Sequence, residues 1–369
     1  MGEPMKDAIR RLTDARLVLV ALRDAVAAMV AVGWMEDVEE TLELMPDGGD
    51  RVSALLVIAR GCGRQGDQSK ASEVFGTCGI KLANIGDVGR ESILKADIAV
   101  IYAKTGNIEL ARALISGSAT GDTQNEKRPG AHKVSVIVST NVELGDLDRA
   151  LVILREASSD SYPRKGRIAV TTAYAAKGGI KAALKVAMEI VSPRYRAVAL
   201  CNAARKFAER GDMESARTAL TRAETSVPAI DGEFASDFAW SCFAEPYDLI
   251  GDNPNALKSL GHVEGNDSKA RSFWRMWAAR YATGQTNDAE GLKSQAIEAT
   301  KAADTFTRVS ICSEASAMAF RAGEKGISKD YLGNAIAVVS GMQTRWWRAR
   351  ALSRIAKTVI SLENAAGGR

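Results

Sequence analysis

The segment RSFWRMWAARYATGQ, residues 271–285, interleaves basic and aromatic side chains in a way that could bind nucleic acid. Within eleven residues it holds three arginines, two tryptophans, one phenylalanine and one tyrosine. Such rings can stack on bases while the guanidinium groups neutralise phosphates. The same residues can also form one amphipathic helix of a packed array, with rings inside and guanidinium groups in water. The elements around the segment decide between the two.

Residue types that support catalysis or bind metal are sparse. The two histidines, His132 and His262, lie apart from each other and from the cysteines, which argues against a His/Cys metal site. The sequence has no Walker-type glycine loop, nucleophile elbow, zincin helix or dinucleotide fingerprint. We therefore expect no catalytic residues, no bound metal and no cofactor, and we expect the protein not to be an enzyme.

A glycine followed five residues later by an alanine recurs along the chain. The pairs are Gly66–Ala71, Gly106–Ala111, Gly145–Ala150, Gly178–Ala183, Gly211–Ala216, Gly251–Ala256 and Gly284–Ala289. Looser copies begin at Gly33 and Gly323, so nine glycines follow one another at steps of 33 to 40 residues. A repeat in this range predicts stacked helical units instead of compact domains.

Each glycine has a physical role in this pattern. Glycine readily adopts the left-handed conformation that ends a helix. In five copies Asp or Asn follows it, as at Asp212 and Asp252, and can cap the N-terminus of the next helix. A small residue seven positions earlier, such as Ala204 or Ala244, allows two helices to approach closely. The unit is predicted to be helix, tight turn, helix.

These spacings resemble the tetratricopeptide repeat family. Residues 240–260 carry its pattern at Trp240, Ala244, Tyr247, Gly251, Ala256 and Leu260. The resemblance implies an all-α fold, a right-handed α–α superhelix of about eight or nine hairpins. We predict a degenerate hairpin over 1–49, the array over 50–344 with a loop at 116–131, and a capping helix and tail over 345–369. The copy at 101–115 is also similar to a pentatricopeptide RNA-binding repeat.

In the resembled family the first helix of each unit lines a concave groove, at its second, fifth, ninth and twelfth positions. Counted back from the turn glycines, these positions are Arg271, Trp274, Ala278 and Tyr281; Phe238, Ser241, Glu245 and Asp248; and Val198, Cys201, Arg205 and Ala208. We expect Arg271, Trp274, Tyr281 and Arg205 to bind a partner, and Trp277 to be a core residue. The mixed charge along these positions disfavours a continuous nucleic-acid track.

Three function classes follow from the resemblance and the segment at 271–285. The first is a scaffold or adaptor that binds a peptide or helix of a partner protein in the groove. The alternatives are an RNA- or DNA-binding helical repeat protein and a peptide-sensing regulator. A net charge of +4 is too small to indicate a dedicated nucleic-acid binder.

Location is predicted from the cysteines and the N-terminus. The five cysteines are scattered, which is typical of thiols in a reducing compartment. The start MGEPMKDAIRRL is not an export signal, and charges interrupt the apolar run at 17–34. We expect a cytoplasmic protein without a membrane span.

Overall fold

The computed structural model describes residues 22–27, 29–30, 35–45, 49–64, short pieces between 70 and 113, 131–156 and 163–367. Every regular element among them is helical and none is a strand, which confirms the all-α prediction for this part of the chain. The glycines at 33, 66 and 106 and the predicted loop up to residue 130 lie outside the described residues. The superhelix and the number of hairpins stay predictions, as does the predicted domain division.

The chain divides into two compact units, residues 92–279 and residues 1–91 with 280–369. In the unit of 92–279 the helices are α3 (Ala131–Glu143), α4 (Leu147–Glu156), α5 (Pro163–Ala176), α6 (Ile180–Met188), α7 (Pro193–Glu209), α8 (Met213–Glu224), α9 (Glu233–Ser241), α10 (Ala244–Leu249), α11 (Asn253–Gly261) and most of α12 (Asn266–Ala282). The other unit contains α1 (Met35–Glu43), α2 (Gly49–Arg64), α13 (Thr286–Ala302), α14 (Thr305–Arg321), α15 (Lys325–Ser340) and α16 (Arg345–Gly367).

In the unit of 92–279 the helices pack in consecutive hairpins. Helix α3 contacts α4, α5 contacts α6, and α7 contacts α8. The first helices also contact one another in series, α3 with α5, α5 with α7, and α7 with α9 and α10. This series forms one layer of first helices.

The turn glycines adopt the backbone that the sequence predicts. Six of them, Gly145, Gly178, Gly211, Gly251, Gly284 and Gly323, have φ between +77° and +91°. At Gly251 the amide donates to Asp248 O and the next amide donates to Tyr247 O, which is the paired bonding of a Schellman motif. The carboxylates of Asp212 and Asp252 accept from the amides of Ser215 and Asn255, so the predicted caps are confirmed at both positions.

The small residues of the pattern are core residues. The alanines five positions after the glycines at 145, 178, 211, 251 and 284 are all fully buried. Small residues seven positions before three of these glycines, at 178, 211 and 251, are fully buried as well. These are Ala150, Ala183, Ala216, Ala256 and Ala289, and Thr171, Ala204 and Ala244. A larger side chain at these positions would separate the two helices of a hairpin.

In the unit of 1–91 and 280–369, helix α16 packs on α14 and α15 where the sequence predicts a terminal helix. Its core includes Val309, Leu332, Leu352 and Ile355. Lys357 on α16 also lies 3.4 Å from Asp24, whose carboxylate is buried and is also paired with Arg23 at 3.2 Å. The unit therefore joins residues from the two ends of the chain.

Candidate functional site

Trp274 does not lie on a solvent-facing surface. It is fully buried and packs edge-on against Trp277, with ring centres 5.4 Å apart and an interplanar angle of 88°. Its assignment to the groove face was wrong, because the fifth position of the first helix faces neighbouring helices. Cys201, Ser241 and Ser313 occupy the same position in other copies and are also buried. The interpretation of Trp277 as a core residue is confirmed.

Arg271 and Arg205 are half-buried and lie in the unit of 92–279. The guanidinium of Arg271 binds Asp267 one turn earlier on α12, at 3.1 Å. Arg205 lies 3.8 Å from Glu209 on its own helix and 3.9 Å from Glu245 on α10. Arg205 and Glu245 are both ninth positions, so the structure brings these two predicted groove residues together. Partner binding by either arginine stays a prediction.

Tyr281 lies in the other unit, at the C-terminal end of α12. Its hydroxyl donates to Glu324 Oε1 at 2.6 Å. This hydrogen bond to a carboxylate raises the pKa of Tyr281, with a smaller contribution from burial. The contact holds the phenol against the start of α15, so Tyr281 serves packing in addition to any role in partner binding.

A different set of residues forms the most distinctive surface in the unit of 92–279. Alternating guanidinium groups and rings run across the N-terminal ends of α5, α7 and α9, and we call this set the Arg–aromatic ladder: Arg164, Tyr195, Arg194, Phe238 and Phe234. Arg164 lies 4.4 Å from the ring centre of Tyr195. Arg194 lies 5.4 Å from Tyr195, 4.7 Å from Phe238 and 5.8 Å from Phe234. These distances are in the range of cation–π contacts.

The ladder is held in place by helix starts. Arg164, Arg194 and Phe234 are each the second residue of their helix, and proline precedes both arginines at the first helical position. Arg196, two residues further along α7, donates to the carbonyls of Ile190 and Val191 and so ties the helix start to the preceding turn. The starts of three successive first helices therefore contribute to one edge.

The ladder combines exposed rings with guanidinium groups that form no ion pairs within the described residues. Phe234 is 72% exposed and Phe238 is 38% exposed, both unusually high for phenylalanine. None of the ion pairs among the described residues of this unit involves Arg164 or Arg194. Arg194 Nε is buried and lacks a hydrogen-bond acceptor. The guanidinium of Arg194 is therefore partly desolvated and has no anionic partner among the described residues.

Acidic residues follow the ladder along α9 and the loop before α12. Asp231 and Glu233 are exposed at the start of α9. Asp237 is buried and accepts from the amides of Glu264 and Gly265, the latter at 2.6 Å, which brings the loop at 264–265 against α9. The Glu264 carboxylate also raises the pKa of Glu233, because it accepts a hydrogen bond from the protonated form and repels the charged form. The charge along this edge therefore changes from basic at the ladder to acidic beside it.

Cys242 lies behind the ladder on the C-terminal side of α9. Its thiol donates to Phe238 O at 3.3 Å, and burial raises its pKa although the guanidinium of Arg275 opposes the shift. A thiol with a raised pKa is a poor nucleophile. The thiols of Cys78 and Cys312 also have pKa values raised by burial, in each case to about 11. The cysteines of the described residues are packing residues.

A second surface feature lies in the unit of 1–91 and 280–369. A cavity of about 590 Å³ opens between the starts of α14 and α16. Phe306 and Trp347 line it with ring centres 4.7 Å apart, and Trp347 is 43% exposed. Asp304 lines the mouth, but its carboxylate is occupied in accepting from the amides of Phe306 and Thr307. The rest of the lining mixes apolar and polar side chains, among them Met342, Gln343 and Thr344.

Sequence reasoning missed the ladder apart from Phe238, which it placed on the groove. A signal was present, because SYPRKGR at 161–167 and VSPRYR at 191–196 both place arginine directly after a helix-starting proline. These arginines contact aromatic rings of the neighbouring hairpin because of the way the helices pack. The local sequence does not reveal that packing.

No helix among the described residues is both long and apolar enough to cross a membrane. In the same part of the chain, no group of three or more His, Cys, Asp or Glu side chains is arranged to hold a metal ion. No known family model matches the chain, and no curated protein matches it in sequence.

Proposed function

We propose that the protein is a non-enzymatic interaction scaffold of the cytoplasm that binds a segment of a partner protein across its first helices. In this proposal the hairpins continue as a right-handed superhelix similar to that of tetratricopeptide repeat proteins, with about eight or nine units and α16 as the terminal cap. The Arg–aromatic ladder carries the proposal, because it offers exposed rings and guanidinium groups that form no ion pairs within the described residues at one edge of the first-helix layer.

The ladder has the composition of an interaction hot spot. Arginine and aromatic residues dominate the binding energy of protein interfaces, where they sit in partly desolvated positions. Arg194 is already desolvated on its Nε, and its position between Tyr195 and Phe238 keeps the guanidinium in one place. Little conformational entropy is lost when such a preorganised group binds a carboxylate.

The alternative is a nucleic-acid-binding helical repeat protein, since arginines and rings also bind single strands. The charge along the edge disfavours it. A phosphate chain that crossed Arg164 and Arg194 would next meet Asp231, Glu233 and Glu264, which repel it. A peptide can change its charge from residue to residue and avoids this conflict.

A displayed library of random short peptides, selected on the purified protein, tests the proposal. We expect peptides to be enriched on the wild type and on a control with Arg217→Ala and Leu257→Ala, which removes an exposed arginine and an exposed apolar residue elsewhere in the same unit. We expect enrichment to be lost with Arg194→Ala and Phe238→Ala. Circular dichroism checks that both variants keep the helical content of the wild type.

Two outcomes would overturn the proposal. Peptides that bind the ladder variant as tightly as the wild type would place the partner site elsewhere. No enriched peptide, together with ladder-dependent binding of a labelled mixed-sequence RNA at ~0.15 M salt, would establish the nucleic-acid alternative.

A further inference from the structure

We propose that the ladder and the acidic corner beside it select a partner segment of divided charge, with an acidic and a large apolar residue on the ladder and a basic residue at the corner. The acidic corner is the set Asp231, Glu233 and Glu264. This inference rests on the proposed function, because it names the chemistry of the segment that the same surface binds.

The requirement for an acidic residue comes from the two arginines. Arg164 and Arg194 form no ion pair among the described residues of their unit, and Arg194 Nε is buried without an acceptor. The rings of Tyr195 and Phe238 occupy space beside these guanidinium groups that water would otherwise fill. The Arg194 side chain is only partly buried, so a partner carboxylate that pairs with the accessible part of its guanidinium gains a charge-assisted hydrogen bond.

The requirement for a large apolar residue comes from Phe234 and Phe238. Four residues apart on α9, they project from the same face of the helix. Both are exposed, Phe234 by 72% of its surface. Burial of that ring by a partner side chain removes apolar area from water in the same step in which the neighbouring arginine is paired.

The requirement for a basic residue comes from the acidic corner. Glu233 directly precedes Phe234 and Asp231 lies three residues before it, so the corner begins where the ladder ends. Asp237 accepts from the amides of Glu264 and Gly265 and so holds the loop at 264–265 against α9, and the Glu264 carboxylate raises the pKa of Glu233. No ion pair among the described residues involves Asp231, Glu233 or Glu264. A lysine or arginine of the partner would neutralise carboxylates that now face one another.

Uniformly charged ligands fit only part of this surface. An all-acidic segment satisfies the ladder and is repelled at the corner, whereas an all-basic segment has the opposite conflict. Nucleic acid is the extreme case of a uniform polyanion. The order of charge along the edge therefore provides specificity through repulsion as well as attraction.

Three fluorescent peptides of equal length around one central tryptophan test this inference by fluorescence anisotropy. The first carries acidic residues on one side and basic residues on the other, the second is acidic on both sides, and the third is basic on both sides. We expect the divided peptide to bind about tenfold more tightly than either uniform peptide. A peptide can bind in either chain direction, so a reversed sequence would not be a useful control. The three peptides therefore differ in charge composition.

Variants separate the two halves of the surface. Arg194→Ala should weaken the divided peptide by about tenfold, while Arg217→Ala should leave its affinity unchanged. The double change Glu233→Gln and Glu264→Gln should abolish the preference for the divided peptide over the all-acidic one. It keeps side-chain size and leaves Asp237 intact, so the loop at 264–265 should stay in place.

Equal affinity for the divided and all-acidic peptides, or a preference unchanged by the Gln double variant, would overturn the inference. The proposed function would survive that result if library-selected peptides still required Arg194 and Phe238. Tighter ladder-dependent binding of a mixed-sequence RNA than of any peptide would overturn both.

Discussion

The guanidinium carbon of Arg194 lies 4.7 Å from the ring centre of Phe238, although the two residues belong to different hairpins. Arg194 begins α7 and Phe238 is on α9, and the two helices contact each other in the layer of first helices. Arg194 forms no ion pair among the described residues, and this contact keeps it next to a half-exposed ring. It is the central relationship of the surface that we propose as the partner site.

Glycine should be required at position 251 because of its left-handed backbone conformation, and not because a larger side chain would lack room. Gly251 has φ +77° and an added Cβ would meet nothing within 4 Å. Gly251→Ala should therefore lower the free energy of unfolding by about 1–2 kcal/mol, the cost of a left-handed L-residue. Gly261→Ala, in the same hairpin, meets nothing within 4 Å either and lies in helical backbone, so it should be neutral or stabilising by ~0.5 kcal/mol. Urea unfolding followed by circular dichroism measures both, and equal effects would contradict the prediction.

The carboxylate of Asp304 caps the start of α14, and its contribution to the free energy of unfolding should depend on pH. Asp304 accepts from the amides of Phe306 and Thr307, and these hydrogen bonds hold its pKa below the ordinary value. Asp304→Ala should lower the free energy of unfolding by about 1 kcal/mol near neutral pH. Because the folded pKa is lowered, the ionic part of this contribution is complete above the unfolded pKa and is lost as pH falls through the folded one.

Asp304→Asn is the matched control for that prediction. Asparagine caps helices about as well as aspartate but does not titrate, so it should keep most of the stability at neutral pH and lose the dependence on acid. Thermal unfolding of the three proteins between neutral and strongly acidic pH provides the comparison. An Asn variant that shows the same acid dependence as the wild type would assign that dependence to other carboxylates.

Trp274 should behave as a core residue and Arg271 as a surface residue. Trp274 is fully buried against Trp277, whereas Arg271 is partly exposed and paired with Asp267. Trp274→Ala should cost about 3–5 kcal/mol of unfolding free energy because it leaves a large cavity. Arg271→Ala should cost less than about 1 kcal/mol, as expected for an exposed pair on one helix. Similar losses for the two variants would mean that Trp274 is not packed as described.

Arg205 and Glu245 should be coupled only weakly. Their side chains are partly exposed and 3.9 Å apart, and Glu209 also lies near the arginine at 3.8 Å. A double-mutant cycle of Arg205→Ala and Glu245→Ala should give a coupling energy of about 0.2–1 kcal/mol, which falls as salt is added. A larger coupling would mean that the pair is a structural clamp between α7 and α10 and is not free to exchange Glu245 for a partner carboxylate.

The pKa of Glu233 should lie above its ordinary value. The hydrogen bond that protonated Glu233 donates to the Glu264 carboxylate, and the negative charge of Glu264, raise the pKa of Glu233, with smaller contributions from burial and Asp237. Carbon-detected NMR titration of the side-chain carboxyls measures this value. Glu264→Gln removes the neighbouring charge and should move the pKa of Glu233 down towards its ordinary value. No change in this variant would show that the two side chains do not interact in solution.

The sequence predicts the hairpins well because their signals are local. A positive φ at Gly251, a cap at Asp252 and a buried alanine at Ala256 all follow from residues within six positions of one another. The 3.6-residue period of a helix then determines which of these side chains share a face. No distant contact is needed for any of these features, so they could be recognised without the tertiary structure.

Tertiary structure alone decides that Trp274 is buried and that the Arg–aromatic ladder forms. The sequence placed Trp274 on a helical stripe that also contains Arg271 and Tyr281, but whether that stripe meets water depends on how closely the neighbouring helices pack. Likewise, the contacts of Arg164 with Tyr195 and of Arg194 with Phe234 join residues 31 and 40 positions apart in the chain, and they form only because consecutive first helices pack side by side. Local sequence determines where each helix begins and ends; the packing of one helix against the next determines which side chains a partner can reach.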